Sequence, residues 1–231
     1  MTTAPSTQRP AAPARRPQAG PPLLVPVLTF TALTIGYVVA NRSTPQPDAP
    51  GSAVLHYAQT NAATIEVGAF LLFASAVPLA LLAAVLYRRL RALGITAPGS
   101  AITLVGGVLA ASELAMSAML AWTGGRLPAD ADPALARALA DLSFLSGGPG
   151  YAVTFALLIA GISVTGLLAR LLPRAVTWTG LVLAAAGMVS TLTFLAPGFG
   201  YLLPVVRFGG LVWLVFVAAL MPRTRPRSGH Q

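Results

Sequence analysis

The stretch that decides the fold is residues 62–87, AATIEVGAFLLFASAVPLALLAAVLY, in which Glu66 is the one charged side chain. A helix of this length is long enough to cross the ~30 Å hydrocarbon core of a bilayer. Arg88, Arg89 and Arg91 follow directly, and arginine is enriched where a membrane span ends in the cytoplasm. The stretch therefore predicts a transmembrane helix with a cytoplasmic C-terminal end.

The rest of the chain follows the same pattern, because 55% of its 231 residues are apolar and only 9% are charged. Soluble domains carry far more charge. The sequence predicts an all-α membrane protein, a bundle of six transmembrane helices at residues 22–40, 62–87, 100–122, 149–172, 176–196 and 201–221. The absence of cysteine excludes disulfides, thiolate nucleophiles and cysteine metal sites. The two histidines are far apart in sequence, so we expect neither a metal site nor a cofactor.

The basic residues are 15 arginines, and they decide the predicted topology. Eleven of them lie in four groups next to apolar segments: Arg9, Arg15, Arg16; Arg88, Arg89, Arg91; Arg170, Arg174; and Arg223, Arg225, Arg227. With both termini in the cytoplasm, every group lies inside, and the acidic loop residues all lie outside. This distribution predicts a multi-pass membrane protein and argues against nucleic-acid binding. The use of arginine without lysine, together with much alanine, is typical of a GC-rich bacterial genome and indicates a bacterial plasma membrane. The inner arginines would attract anionic lipid at roughly 1 kcal/mol each.

The ends of the chain are predicted to lie outside the bundle. Residues 1–21, rich in proline, alanine and arginine, predict a disordered cytoplasmic tail, and residues 222–231 a basic cytoplasmic tail. Residues 22–221 then form the transmembrane domain. The first span has a second interpretation, a signal peptide cleaved before Asn41, which would leave five spans. The long apolar stretch, its Pro26, and Tyr37 near the interface favour a retained span.

The second outer loop predicts a short amphipathic helix that lies on the outer surface. Asp132 is a helix cap, and Pro133 suits the first helical position. Four leucines then repeat at helical spacing: Leu135, Leu139, Leu142 and Leu145. Arg137 and Asp141 are four residues apart and predict an ion pair. Residues 147–150, Gly-Gly-Pro-Gly, predict a hinge between this helix and the fourth span.

Three stretches carry a resemblance to a known family: LYRRL at residues 86–90, DLSFLSGGPG at residues 141–150, and LPR at residues 172–174 with Trp178 and Gly180. Together they resemble a family of six-span bacterial integral membrane proteins catalogued as a domain of unknown function. The resemblance covers most of residues 24–221. It implies a six-span fold and supplies neither an activity nor a catalytic residue.

Three ionisable side chains lie within predicted spans: Glu66, Glu113 and Arg207. Such groups cost about 2.5–3.5 kcal/mol at the middle of a span, so each is a candidate functional residue. At 1.5 Å per residue they lie about 6, 14 and 9 Å from the outer ends of their helices. Glu113 shares a helix face with Gly106, Ala110 and Ser117 and should point inward.

The three charges allow different arrangements. One is an ion pair or hydrogen-bonded network that holds the second, third and sixth spans together. Another is a polar cavity toward the outer side, where Arg207 holds an anionic group and a carboxylate titrates or binds a cation. In a third, Arg207 and Glu66 reach separately to the outer interface.

The corresponding functions differ in class. The first hypothesis is a protein that binds or moves a small or lipidic ligand in the outer half of the bundle. The second is an intramembrane enzyme on a lipid or isoprenoid substrate, with Glu66 or Glu113 as general acid or base. The third is a structural or regulatory subunit whose protein partner the sequence does not identify.

Overall fold

The computed structural model describes residues 22–222, and their regular secondary structure is helical. The α-helices are α1 (Leu24–Ala40), α2 (Gly51–Thr60), α3 (Ala62–Ala92), α4 (Gly99–Gly124), α5 (Pro133–Leu145), α6 (Tyr151–Leu168), α7 (Arg174–Val189) and α8 (Leu202–Leu220). A π-helical turn, Ser146–Gly150, joins α5 to α6, and two 3₁₀ helices, Ser190–Phe194 and Pro197–Tyr201, join α7 to α8. The predicted tails lie outside the described residues except for Pro222.

Five helical segments of the described chain are long and apolar enough to cross a membrane: Ala62–Ala92, Gly99–Gly124, Pro133–Leu168, Arg174–Phe194 and Pro197–Leu220. The prediction of a helical, multi-pass membrane protein is confirmed. Helix α1 is apolar and has 17 residues, about 25 Å of helix. This length is at the lower limit for a span, so the sixth span stays a prediction.

The contacts between helices fix which ends lie together. Gly99, at the start of α4, packs against the side chain of Thr165 near the end of α6. The indole nitrogen of Trp213 donates to the carbonyl of Val176 at 2.7 Å, which places the second half of α8 beside the start of α7. The ends of α3, α6 and α8 therefore lie at one end of the bundle, here called the arginine end, with Arg88, Arg89, Arg91, Arg170 and Arg174. The opposite end, the loop end, carries Asp48, Asp130, Asp132 and Asp141.

The core depends on small residues and stacked rings. Phe155 is fully buried, with its ring centroid 5.1 Å from that of Tyr151 and 6.4 Å from that of Phe30 on α1. Helices α4 and α6 cross at Gly106, where a β-carbon would lie 2.9 Å from the carbonyl carbon of Leu157. The predicted packing role of the Gly106, Ala110 and Ser117 face is confirmed, because all three residues are buried.

The first outer loop contains a helix that the sequence analysis missed. Its residues 41–50 are irregular, but Gly51–Thr60 forms α2, which packs against α5. Ten residues with few strongly apolar side chains give little periodic signal on their own. The helix is stabilised by the neighbour it packs against.

Helix α5 confirms its predicted cap and ion pair. The carboxylate of Asp132 accepts the backbone N–H of Ala134 at 2.8 Å. However, Leu135 and Leu142 are 49% and 50% exposed, whereas Ala136 is buried. The leucines of the predicted repeat thus lie at or near the surface, and the small residues of α5 allow its close contact with α4 and α2.

The Gly-Gly-Pro-Gly stretch at residues 147–150, the predicted hinge, does not interrupt the helix. The helix runs on from Pro133 to Leu168 through the π-helical turn. Pro149 has no N–H, and its ring would clash with the carbonyl four residues earlier in an α-helix. The wider turn accommodates it, and the N–H of Tyr151 donates to the carbonyl of Ser146, five residues back. The surface helix and the fourth span are one continuous segment.

Candidate functional site

A cavity of about 420 Å³ lies at the loop end of the bundle. Its walls come from the last turn of α1, the 41–47 segment, α2, the first turns of α3 and α8, the last turns of α4, all of α5, and the π-helical turn. This volume falls in the range of small-molecule sites, which are largely apolar with a few placed polar groups. The cavity has this composition, and its polar groups are described in turn.

Arg207 is the charged group at the inner part of the cavity. Position 207 is in the second turn of α8, which brings the side chain over the π-helical turn. One terminal guanidinium nitrogen donates to the carbonyl of Gly147. The guanidinium carbon lies 5.2 Å from the ring centroid of Tyr151, a cation–π distance. The carbonyl and the ring together hold the guanidinium in one orientation.

The last turns of α5, just before the π-helical turn, are tied to α4 by a pair of serines. The hydroxyl of Ser117 donates to the carbonyl of Ser143 at 2.8 Å, and that of Ser143 donates to the carbonyl of Ser117 at 3.0 Å. A β-carbon on Gly147 would lie 3.0 Å from the β-carbon of Ser117 and closer still to its hydroxyl. Glycine at position 147 therefore lets α4 approach the turn, which fixes the carbonyl that Arg207 binds.

Two tyrosine hydroxyls in the cavity wall have no hydrogen-bond partner among the described residues, those of Tyr57 and Tyr151. Tyr151 is only 2% exposed, and its ring is held between Phe155 and Arg207. Leaving a buried hydroxyl unpaired costs about 1–3 kcal/mol. Buried polar groups without partners are uncommon and often mark functional sites.

Arg137 forms the outer wall of the cavity. Its Nε donates to both carboxylate oxygens of Asp141, at 2.8 and 2.9 Å, so the predicted pair is confirmed. Its two terminal nitrogens donate to the carbonyls of Pro47 and Ala49. One side chain thus neutralises Asp141 and fixes the 41–50 segment to α5.

Glu113 does not line the cavity. Its carboxylate lies against the far end of the π-helical turn, where a β-carbon on Gly150 would be 2.9 Å from Oε2. Within residues 22–222 it has neither an ion pair nor a hydrogen bond, and it is half-buried. Glu113 and Arg207 therefore meet the same turn, at Gly150 and Gly147, without pairing with each other.

Glu66 lies outside the cavity too. It forms an ion pair with Arg126 at 3.3 Å, and both side chains are about half exposed. The guanidinium of Arg126 also lies 4.6 Å from the ring centroid of Trp122. An exposed pair of this kind contributes about 0–1 kcal/mol. The structure thus brings only Arg207, of the three predicted residues, into the cavity wall.

The sequence analysis missed the tyrosines and the serine pair. Tyr151 follows the Gly-Pro-Gly stretch directly. Its position next to that stretch was the one indication that its side chain would lie near the turn. Nothing in the sequence places it beneath Arg207, because the two residues meet only through the packing of α6 against α8. Tyr57 belongs to the helix α2 that was also missed.

In the described part of the chain, no three acidic or histidine side chains are grouped closely enough to hold a metal ion. Comparisons of the chain with known protein families, curated proteins and solved structures find no match. The resemblance to the six-span family stays a prediction based on its three motifs.

Proposed function

We propose that this protein binds or moves a small or lipidic ligand in the cavity at the loop end of the bundle. The observation that carries the proposal is the cavity itself: about 420 Å³ of mainly apolar wall that also contains the charged side chain of Arg207. A purely structural arginine would be paired with a carboxylate. Arg207 has no such partner among the described residues, which leaves its charge available to a ligand.

Binding is a better proposal than catalysis by the predicted glutamates. Acid–base chemistry needs its carboxylate within hydrogen-bonding reach of the substrate. Glu66 and Glu113 do not line the cavity, and Asp141, the one carboxylate among the described lining residues, is held by Arg137. The arrangement supports recognition of a ligand, and the described lining residues provide no unpaired carboxylate beside it.

Filling the cavity should remove the ligand. Ala140 lines the cavity, whereas Ala138, on the same helix, is exposed and does not. In Ala140→Trp, an indole occupies space that the ligand needs, so we expect small molecules that co-purify with the wild-type protein to be lost. Ala138→Trp is the matched control and should retain them. Native mass spectrometry of protein purified in mild detergent gives the measurement.

The same bound molecules in wild type and Ala140→Trp, at equal stoichiometry, would place the ligand outside this cavity. A wild-type protein that carries no small molecule, even after incubation with a lipid extract of its host, would count against the proposed function.

We further propose that the arginine end is cytoplasmic, that α1 is a retained sixth span, and that both termini lie inside a bacterial plasma membrane. The charge separation between the arginine end and the loop end supports this orientation. Phe30 and Val27 of α1 are buried in the core, so removal of α1 as a signal peptide would expose apolar surface. The bilayer is then the main partner, with anionic lipid at the arginine end.

Reporter fusions test this topology. Fusions after Arg91 and Arg174 should show cytoplasmic activity, and fusions after Gly51 and Pro128 should show periplasmic activity. The reason is that the arginine groups keep the adjacent helix ends in the cytoplasm. Each fusion site is tested with two reporters: green fluorescent protein, which is active in the cytoplasm, and alkaline phosphatase, which is active in the periplasm. Activity of one reporter at a site shows that the fusion is expressed when the other is inactive. Opposite readings at either pair of sites would reject the orientation.

A further inference from the structure

We propose that the ligand is an anionic amphiphile, whose carboxylate or phosphate oxygens bind the Arg207 guanidinium while its hydrocarbon part lies against the apolar wall. This inference rests on the proposed function and names the chemical class of its ligand. It depends on the charge balance, the free donors and the shape of the cavity.

The charge balance of the described cavity wall favours an anion. Arg137 and Asp141 form a close pair and cancel. Arg207 has no carboxylate partner among the described residues. It is half-buried in an apolar setting, where an unbalanced charge is costly. An anionic group would relieve that cost, whereas a neutral or cationic group would not.

The donors are placed for oxygen acceptors. A guanidinium has five N–H groups in a planar fork, and among the described residues only the carbonyl of Gly147 accepts from it. The ring of Tyr151 lies beneath the guanidinium and supports it from one side. Charge-assisted bonds from such a fork to a carboxylate or phosphate are about twice as strong as neutral ones.

The shape of the cavity requires an apolar body as well. Arg137 and Gly147, which are ten residues apart, both line it, so it extends about 15 Å along the helix. The wall between the polar groups is apolar and includes Val38, Leu120, Leu139, Phe144 and Leu203. A free inorganic anion would occupy only the Arg207 part. An amphiphile would both neutralise the charge of Arg207 and cover the apolar wall of the cavity.

Binding to the purified full-length protein in nanodiscs tests the inference, with four probes: decyl phosphate, decanoate, decanol and inorganic phosphate. We expect both anionic amphiphiles to bind at least about tenfold more tightly than decanol or inorganic phosphate. Arg207→Gln should weaken decyl phosphate binding about tenfold or more. Arg126→Gln is the matched control, because Arg126 is also at the loop end but pairs outside the cavity, and it should bind as wild type does.

The outcomes separate the two proposals. Decanol binding that equals decyl phosphate binding and is lost in Ala140→Trp would keep the proposed function and overturn the anionic assignment. Inorganic phosphate binding as tightly as decyl phosphate would overturn the amphiphile. Undiminished binding in Arg207→Gln would overturn the placement of the headgroup. If that variant is not recovered folded, Arg207→Lys, which keeps the charge but loses the planar fork, carries the test, and unchanged binding there would likewise overturn the placement.

Discussion

Replacing Gly106 with leucine should destabilise the protein by about 3 kcal/mol, the upper end of the usual range for overpacking. At this position the backbones of α4 and α6 are in contact, and a β-carbon would clash with the backbone of Leu157 and Leu158. Backbone atoms cannot turn aside as a side chain can, so the two helices must separate. The thermal unfolding midpoint in detergent, followed by size-exclusion chromatography, should fall by about 6 °C or more.

Gly198→Leu is the control for this prediction. Gly198 lies between α7 and α8, and a β-carbon there meets no atom within 4 Å. We expect its midpoint to stay close to that of wild type. A Gly106→Leu protein that is as stable as Gly198→Leu would mean that α4 and α6 do not approach as the structure describes.

The positions of the spans were predictable because they depend on local composition. A run such as residues 62–87 has one stable solution in a bilayer, a helix, whatever the rest of the chain does. The Asp132 cap and the Arg137–Asp141 pair were predictable for the same reason, since each involves residues within four positions of one another.

The cavity was not predictable, because it depends on which helices are neighbours. The distance of each residue from the end of its predicted span indicated that Glu113 and Arg207 lie at overlapping depths. It did not indicate on which side of the bundle each residue lies. In the structure the π-helical turn stands between their two contacts, with Gly147 toward Arg207 and Gly150 toward Glu113. The turn was misjudged because proline and glycine suggest a break, while the packing against α4 keeps the helix continuous.

The position of Arg207 explains why close packing and ligand binding belong together at this site. The guanidinium is oriented by the carbonyl of Gly147, and Gly147 is positioned by its contact with Ser117. Ser117 in turn is one turn from Glu113 on the same face of α4. The face of α4 that supports the cavity therefore also carries the carboxylate with no described partner.

Replacing Glu113 with leucine should make the protein more stable, by about 2 kcal/mol. Glu113 lies near the middle of α4, and it has no ion pair or hydrogen bond within the described chain. A charged residue at the centre of a span costs about 2.5–3.5 kcal/mol on insertion scales, and leucine is favourable there. The thermal midpoint in detergent gives the measurement, and Ser112→Leu, at the exposed neighbouring position, controls for the added apolar side chain.

A more stable Glu113→Leu protein would indicate that the carboxylate is retained for a function and not for the fold. A side chain that contributes to the stability of the fold would lower that stability when it is removed. Decyl phosphate binding to Glu113→Leu then shows whether the carboxylate, which lies against Gly150, affects ligand binding in the cavity. A fall in stability for both Glu113→Leu and Glu113→Gln would contradict this prediction. If Arg207→Gln then cost clearly less in the Glu113→Gln background than alone, the two residues would be coupled, and the sequence-based hypothesis of an ion pair would be favoured.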